Sequence, residues 1–203
     1  FIHLTKDNRL YQLDIPIIGL TGGIANGKST VRKYLKGHNH PVICADQLVK
    51  KIYQLDASVN LIKNEAPDCV KKKQIDFHLL RKKFFNDSNL KTVVENHIYS
   101  YLPEYFMKNI KEQSYIIYDV PLLFEKNIQH LFDITICIYT SPQEQIKRLV
   151  KRDQISIELA SQIILSQISI NQKKKYATYT IDNSKDKISL EKKIDKLTDE
   201  LFL

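Results

Sequence analysis

The chain has 203 residues, of which 43% are hydrophobic and 27% charged, so it can bury a core of its own like an ordinary globular protein. No apolar run is long enough to cross a membrane as a helix, so we expect no membrane partner. The formal net charge of +8 favours a polyanionic partner, either a nucleic acid or a phosphate-rich small molecule.

The cysteines and histidines indicate neither a disulfide framework nor a metal centre. Cys44, Cys69 and Cys137 are odd in number and have no paired spacing. This pattern favours reduced thiols in a cytoplasmic protein. The six histidines form no metal-ligand pattern with these cysteines, so we predict no structural metal.

The first predicted elements are an N-terminal segment, a strand, a glycine-rich loop and a helix. Residues 1–14 are expected to form an extension or a short hairpin, and Ile15–Leu20 a strand that is covered on both faces. Gly22–Ser29 then reads G-x-x-x-x-G-K-S, which is the phosphate-binding pattern. The helix that follows is expected to end near Gly37.

The chemistry of this loop predicts a nucleotide site. Its glycines let successive N–H groups turn inward around an anion at the positive end of the next helix. Lys28 can reach the β- and γ-phosphates, and the Ser29 hydroxyl can bind Mg²⁺. The alternative is a glycine-rich turn that binds nothing. The predicted nucleotide-binding residues of the loop are Gly22, Gly23, Ala25, Asn26, Gly27, Lys28, Ser29 and Thr30.

A second strand, Pro41–Asp46, delivers Asp46 to the carboxyl end of the predicted sheet, where open α/β folds bind their ligands. The residues that follow continue helically, so Asp46 is also a candidate helix N-cap, and position alone favours the cap.

Residues 56–113 are predicted to be an all-helical insert. Helical spacing runs over Ala57–Ala66, Asp76–Phe85 and Ser88–Ile110, with no convincing strand. The insert is longer than a simple crossover needs, and such inserts often form acceptor-binding subdomains.

Three further strands and a terminal helix complete the predicted core. Tyr115–Asp119 is a buried strand whose terminal acid suits a position near a phosphate-bound Mg²⁺. Asp133–Tyr139 and Ala177–Ile181 are the other two strands. Ile188–Leu203 is predicted to be an amphipathic helix. The lysine run Lys173–Lys175 is interpreted as solvated surface.

Two helices are predicted between the last two strands. Ser141-Pro-Gln-Glu144 opens the first, with serine as N-cap and proline at the first helical position. On it Gln145, Arg148 and Arg152 share one stripe, so both guanidinium groups can bind phosphate oxygens. Spacing alone nevertheless favours two solvated arginines. Ser156 opens the second helix. The predicted core face of that helix comprises Ile157, Ala160, Ile163, Ile164 and Ile168.

Taken together, these residues resemble the dephospho-CoA kinase family. The resemblance runs from about Ile18 to Asn183, and the Asp119–Glu125 string is its most specific part, because nucleotide kinases in general do not share it. The strings that carry it are Thr21-Gly-Gly-Ile24, Gly27-Lys-Ser-Thr-Val31, Ala45-Asp46, Asp119-Val-Pro-Leu-Leu-Phe-Glu125, Gln145-x-x-Arg148-x-x-x-Arg152-Asp153, Gln167 and Ile181-Asp-Asn183.

The resemblance implies a three-layer α/β/α P-loop kinase fold with a five-stranded parallel sheet, a helical substrate-side insert and a helical lid. It implies one domain over residues 1–203. Its core covers about 15–55 and 114–203, its acceptor-binding insert about 56–113 and its lid about 148–175. The implied reaction transfers the γ-phosphoryl group of ATP to the ribose 3′-hydroxyl of dephospho-CoA, the final step of coenzyme A synthesis.

The resemblance also implies residue roles. Asp46 is the candidate base or orienting group for the acceptor hydroxyl, and Lys28 and Arg148 offset charge on the transferring group. Arg148 and Arg152 approach the phosphates from the lid. Ser29 and Asp119 hold Mg²⁺, and Asp119 does so either directly or through water. The expected partners are ATP and dephospho-CoA, with no nucleic acid and no membrane, and a monomer is favoured.

The chain departs from the family pattern in places, and two rival interpretations stay open. Ala25-Asn26 replaces the usual Gly-Ser, so φ at Ala25 must be negative or mildly strained. Ile98 follows His97 where the family usually has His-Pro, so the chain departs from the family pattern on the acceptor-substrate side. The first rival is another small-molecule kinase of the same fold, and the Asp119–Glu125 string argues against it. The second is a nucleotide-dependent nucleic-acid-binding module, which would need aromatic residues interleaved with a basic face.

Overall fold

A parallel five-stranded sheet lies at the centre of the fold in a computed structural model, which describes residues 4–202. Its strands, in chain order, are β1 (Ile17–Gly22), β2 (Val42–Cys44), β5 (Ile116–Asp119), β6 (Ile134–Tyr139) and β7 (Tyr179–Asp182). Across the sheet the order is β2-β5-β1-β6-β7. All six residues of β1 are buried, as expected of a strand covered on both faces.

The register of the sheet lines up the carboxyl ends of its central strands. Leu20 of β1 lies opposite Asp119 of β5, and Gly22 lies opposite Ile138 of β6. The loop that leaves β1 and the acid that ends β5 therefore lie at the same edge of the sheet. In open parallel sheets this edge is where ligands bind.

The chain divides into two compact units, one made of residues 1–43 and 112–203 and the other of Cys44–Lys111. The helices of the first unit are α1 (Lys28–Gly37), α6 (Pro142–Asp153), α7 (Ile157–Leu165), α8 (Ile170–Tyr176) and α9 (Lys187–Phe202). The core on one side of the sheet combines apolar residues of α1 and α9 with those of the strands. No helix within residues 4–202 is long and apolar enough to cross a bilayer.

The N-terminal segment is not a hairpin, so that alternative was wrong. Its described part forms two 3₁₀ turns, Lys6–Asn8 and Leu10–Gln12, while residues 1–3 lie outside the described part of the chain. Arg9 between the turns is buried, and its guanidinium donates to the Leu13 and Leu4 carbonyls. These bonds satisfy backbone groups that a hairpin ladder would otherwise pair.

The second unit contains four α-helices and one 3₁₀ helix (Pro67–Cys69) within its described residues. The α-helices are α2 (Ala45–Tyr53), α3 (Asp56–Glu65), α4 (Phe77–Asn86) and α5 (Ser88–Met107). Their shared core includes Ile52, Ile62, Leu80, Val94 and Ile98. The Asp76 and Asp87 carboxylates accept from the Leu79 and Leu90 N–H groups and so cap α4 and α5.

The prediction that the insert is entirely helical was wrong. Two short antiparallel strands, β3 (Val70–Lys71) and β4 (Gln74–Ile75), form a hairpin between α3 and α4. The turn residues Lys72 and Lys73 have φ of 49° and 62°. Two-residue hairpin turns with positive φ usually carry Asn or Gly, so a pair of lysines gives no sequence signal for one.

The prediction for the helix after Ser156 was correct at its start and wrong for part of its core face. The Ser156 hydroxyl accepts from the Leu159 N–H group, as expected of an N-cap. Ala160 is buried, but Ile157 is 60% exposed. The first turn of α7 therefore projects Ile157 into solvent instead of into the core.

Candidate active site

The glycine-rich loop links β1 to α1, and Gly27 is required by its shape. Gly27 has φ of +88°, in the region that side chains disfavour. A Cβ built there would lie 2.0 Å from the Asn183 Nδ2 atom. Lys28, Ser29 and Thr30 begin α1 directly after it, which puts the positive end of a helix at the loop.

Three side-chain amides from separate elements hold the loop backbone. The Gln145 Nε2 group donates to the Ile24 carbonyl (2.8 Å), and the Ile24 N–H group donates to the Gln167 Oε1 atom (3.0 Å). The Asn183 Nδ2 group donates to the Asn26 carbonyl (2.9 Å). Gln145, Gln167 and Asn183 all belong to the strings that carry the family resemblance, but sequence reasoning assigned them no role.

The Ala25-Asn26 pair fits the loop at a conformational cost. Ala25 has φ of 59°, so the strained alternative stated for this position is the one observed. Asn26 is fully buried, and its Nδ2 group donates to the Ile138 carbonyl at 3.4 Å. Its Oδ1 atom has no hydrogen-bond partner among the described residues. Asn26 thus fills the space beneath the loop.

The Asp119 carboxylate at the end of β5 is fully buried and binds two cations. Lys28 Nζ contacts its Oδ1 atom, and Arg32 Nη1 donates to its Oδ2 atom at 2.7 Å. The structure therefore brings together two predicted site residues, Lys28 and Asp119. Sequence reasoning missed Arg32, whose signal was its place one helical turn after Lys28 on α1.

These residues also fit a magnesium ion. No group of three or more His, Cys, Asp or Glu side chains in residues 4–202 is arranged to hold a metal. Mg²⁺ needs no such cage, because it keeps several waters and binds one or two protein groups plus substrate phosphates. The Asp119 carboxylate and the exposed Ser29 hydroxyl, both at the carboxyl edge of the sheet, are a donor set of this kind.

The two arginines of α6 differ in their surroundings. Arg148 donates from Nε to Glu144 and from Nη2 to the Asn183 carbonyl (3.1 and 3.0 Å), and its Nη1 atom lies 3.7 Å from a Cβ built on Gly27. Arg148 therefore adjoins the loop. Arg152 is instead about half exposed and pairs with the neighbouring Asp153. The structure brings only the first of the two arginines to the loop.

One lysine of the Lys173–Lys175 run is not on the surface. Lys173 is fully buried on α8, and its Nζ atom lies 2.5 Å from Glu125 Oε1. The interpretation of the whole run as solvated surface was therefore wrong for Lys173. Glu125 ends the Asp119–Glu125 string, so this ion pair ties α8 to the segment that follows β5.

In the second unit, Asp46 lies in the first turn of α2 and is exposed. The helix N-cap is Cys44, so the N-cap interpretation of Asp46 was wrong. His97 of α5 is held by Ser58, whose hydroxyl donates to the Ile52 carbonyl (2.7 Å). Ser58 Oγ therefore accepts from His97 Nε2 (3.0 Å), because its one proton is already used.

Comparisons with known proteins agree with this geometry. A family model described as dephospho-CoA kinase matches residues 16–188. A dephospho-CoA kinase of Fusobacterium nucleatum is 33% identical over 93% of the chain and 100% of its own length. One of Staphylococcus epidermidis is 33% identical over 91% of the chain and 94% of its own length.

Solved structures show the same likeness. Dephospho-CoA kinase from Campylobacter jejuni is 29% identical, with a TM-score of 0.67 over 91% of this chain and 96% of that one. TT1252 from Thermus thermophilus is 26% identical, with a TM-score of 0.80 over 93% and 99% of the two chains. Shikimate kinase from Bacteroides thetaiotaomicron, at 14% identity and a TM-score of 0.53, is alike in fold alone. The predicted three-layer α/β/α P-loop kinase fold with its five-stranded parallel sheet is confirmed.

Proposed function

The chain belongs to the dephospho-CoA kinase family, and from that premise we propose which of its residues transfer the γ-phosphoryl group of ATP to the ribose 3′-hydroxyl of dephospho-CoA. The observation that carries the proposal is the pairing of Lys28 with Asp119 beneath the glycine-rich loop. It joins the cation expected at the nucleotide phosphates to the carboxylate expected at the metal.

We propose that the donor phosphates bind at the start of α1. Gly22, Gly23, Ala25, Asn26, Gly27, Lys28, Ser29 and Thr30 supply N–H groups, a cation and hydroxyls to them. Lys28 and Arg148 offset the negative charge that spreads over the transferring phosphoryl group. Stabilising this charge in the transition state is the main contribution of enzymes to phosphoryl transfer. Arg148 adjoins Gly27, which supports its role. Arg152 is proposed as a second phosphate contact that would first have to leave Asp153.

We infer that the reaction uses Mg²⁺, held by Ser29 and, directly or through water, by Asp119. When bound, the ion neutralises charge on the β- and γ-phosphates. Asp119 already binds Lys28 and Arg32, so the contacts of these two cations must change when ATP and Mg²⁺ bind. Lys28 turns to the phosphates while Arg32 keeps its bond to the Asp119 carboxylate.

Asp46 is proposed to accept the proton of the acceptor hydroxyl, or to orient that hydroxyl toward the γ-phosphorus. The hydroxyl oxygen forms the new P–O bond, the bond to the β-phosphate oxygen breaks, and ADP leaves. Support comes from the chain itself, since Asp46 follows the carboxyl end of β2 by two residues and is exposed.

We propose further that residues 56–113 bind the acceptor and that residues 148–175 act as a lid. A lid is expected because water competes with the acceptor for ATP and must be excluded. We also infer a monomeric, cytoplasmic enzyme without a nucleic-acid partner. All three cysteines are buried, and Cys69 and Cys137 are free thiols, which suits a reducing compartment.

The test of the proposed roles is a pair of substitutions. Asp46→Asn should lower kcat on dephospho-CoA by about 10²–10⁴-fold, the usual contribution of a positioned base, and leave the Kd for ATP nearly unchanged. Lys28→Ala should weaken ATP binding itself. Coupled ADP release measures turnover, and calorimetry with ATP measures binding.

Asp199→Asn, which removes an exposed carboxylate from α9, is the control and should leave both values unchanged. An equal loss of ATP affinity in Asp46→Asn would contradict the proposed role and indicate a structural one. Turnover with a nucleoside monophosphate but none with dephospho-CoA would instead favour the rival small-molecule kinase.

A further inference from the structure

Ile24 of the phosphate loop is held on both of its peptide groups by glutamine side chains. Gln145 donates to its carbonyl (2.8 Å) and Gln167 accepts from its N–H group (3.0 Å). The two glutamines come from different places, Gln145 from the first turn of α6 and Gln167 from the linker between α7 and α8. The main chain of Ile24 is therefore bonded to the predicted lid through Gln167 and, through Gln145, to the start of the helix that leads into the lid.

The backbone conformation of Ala25, the residue after Ile24, indicates what these bonds do. Ala25 has φ of 59°, a left-handed conformation that its Cβ disfavours. Such conformations persist only where the surrounding structure holds them. The peptide that joins Ile24 to Ala25 carries the carbonyl bound by Gln145, and the preceding Gly23–Ile24 peptide carries the N–H group bound by Gln167. The two bonds therefore hold the two peptide groups that lead into the strained residue.

The two bonds differ in how firmly their glutamines are fixed. Gln145 is 4% exposed on a helix whose first turn is capped by Ser141. Gln167 is only partly buried, and it lies between two short helices. Lys173 holds α8, the helix after Gln167, whereas α7, the helix before it, buries only Ala160 among its described residues. An element with few buried side chains opens at low free energy, so movement of α7 is what can make and break the Gln167 bond.

We propose that Gln167 is a positioning residue that couples the lid to the phosphate loop. With the lid in the described position, Gln167 accepts the Ile24 N–H group and the loop keeps the shape that binds phosphate. When the linker moves away, this bond is lost and Ala25 is free to leave its strained conformation. ATP binding and lid position are therefore linked, and each favours the other. This inference rests on the proposal that the loop binds ATP.

The experiment measures ATP affinity by calorimetry in Gln167→Met, which keeps side-chain length but loses the oxygen acceptor. Loss of one hydrogen bond should weaken ATP binding about fivefold. The matched control is Gln143→Met, at an exposed glutamine on α6 outside the predicted lid, which should bind ATP like the wild type.

The Ala25→Gly substitution tests whether Gln167 affects ATP affinity through the strain at Ala25 or only by stabilising the fold. Glycine adopts positive φ without strain, so the loop should depend less on Gln167. In an Ala25→Gly background, Gln167→Met should therefore cost less than twofold in ATP affinity. An undiminished fivefold loss in that background would overturn the coupling, as would wild-type affinity in Gln167→Met alone.

A second measurement needs no substitution and covers the case in which Gln167→Met is poorly folded. In the wild-type chain, ATP should slow hydrogen exchange at the Ile24 amide and along α7 together. Slowing at Ile24 without any change in α7 would refute the link. Failure of the wild type to bind ATP would count against the proposed function, whereas ATP binding that ignores Gln167 would count against this inference alone.

Discussion

Asp133 is the residue whose role was least visible in the sequence. It was predicted only as the first residue of a strand, yet its buried carboxylate accepts four hydrogen bonds. They come from the backbone N–H groups of Leu4 and Ile17 and from Arg9, through Nε and Nη2, at 2.8–3.0 Å. A pattern of apolar residues cannot reveal a bond between positions more than 100 residues apart, so the anchor of the N-terminal segment could not be predicted.

These bonds set how stability depends on pH. Burial alone would raise the pKa of Asp133, but the bonds from Arg9 and the backbone outweigh it and lower the pKa below 3.8. A carboxyl whose pKa is lower in the folded state stabilises the fold above its unfolded pKa. That stabilisation is lost as the pH falls through the folded value.

We therefore expect Asp133→Asn to lower the free energy of unfolding at pH 7 by about 3–5 kcal/mol, because it leaves Arg9 buried without its anion. Urea unfolding at pH 7 and below pH 3.8 measures the difference, which should shrink in acid. Asp7→Asn, on the exposed first turn, is the control and should change stability by less than about 0.5 kcal/mol. A pH-independent difference would contradict this role for the Asp133 charge.

Other single residues were predictable because their chemistry is local. The loop was recognisable from Gly22, Gly27 and Lys28, since the backbone freedom and charge that phosphate needs leave a fixed spacing. Arg32 of α1 was not, because its partner Asp119 ends strand β5 and only the folded sheet brings that strand end to the helix.

At the scale of elements, local signals again decided what could be predicted. The cap of α6 was read correctly from Ser141 and Pro142, and the serine hydroxyl does accept from the Glu144 N–H group. The β3–β4 hairpin was missed because its turn lacks the usual residues. The burial of Lys173 was missed too, because only the tertiary fold distinguishes it from Lys174 and Lys175.

The ion pair of Lys173 with Glu125 fixes α8 within its unit. Lys173→Met should lower the free energy of unfolding by about 3–5 kcal/mol, because the carboxylate of Glu125 is left largely buried without a cation. Chemical denaturation of the purified protein measures this loss.

Lys175→Met removes an exposed charge from the same helix and should be nearly neutral. Adding Glu125→Gln to Lys173→Met should recover part of the lost stability. A double variant no more stable than Lys173→Met alone would show that the helix depends on packing instead of the charge pair.

At the scale of the whole molecule, the five strands of the sheet were each predicted within a few residues of their observed bounds. Their order across the sheet was not predictable from periodicity, since pairing depends on contacts far apart in the chain. Asp119 does end the third strand, as predicted, but the second strand ends at Cys44, so Asp46 lies in the first turn of α2 and not at a strand end. Their catalytic roles stay predictions.

The pairing of Lys28 with Asp119 has a consequence for how fast ATP binds. The lysine is already occupied, so binding is an exchange in which one anion displaces another, and the internal pair must open first. In stopped-flow mixing we expect the observed rate to rise with ATP concentration and then level off at the opening rate. In Asp119→Asn, where the pair with Lys28 is weakened, the plateau of the observed rate should be higher. A rate that stays proportional to ATP concentration up to millimolar levels in the wild type would show that the lysine is released without delay.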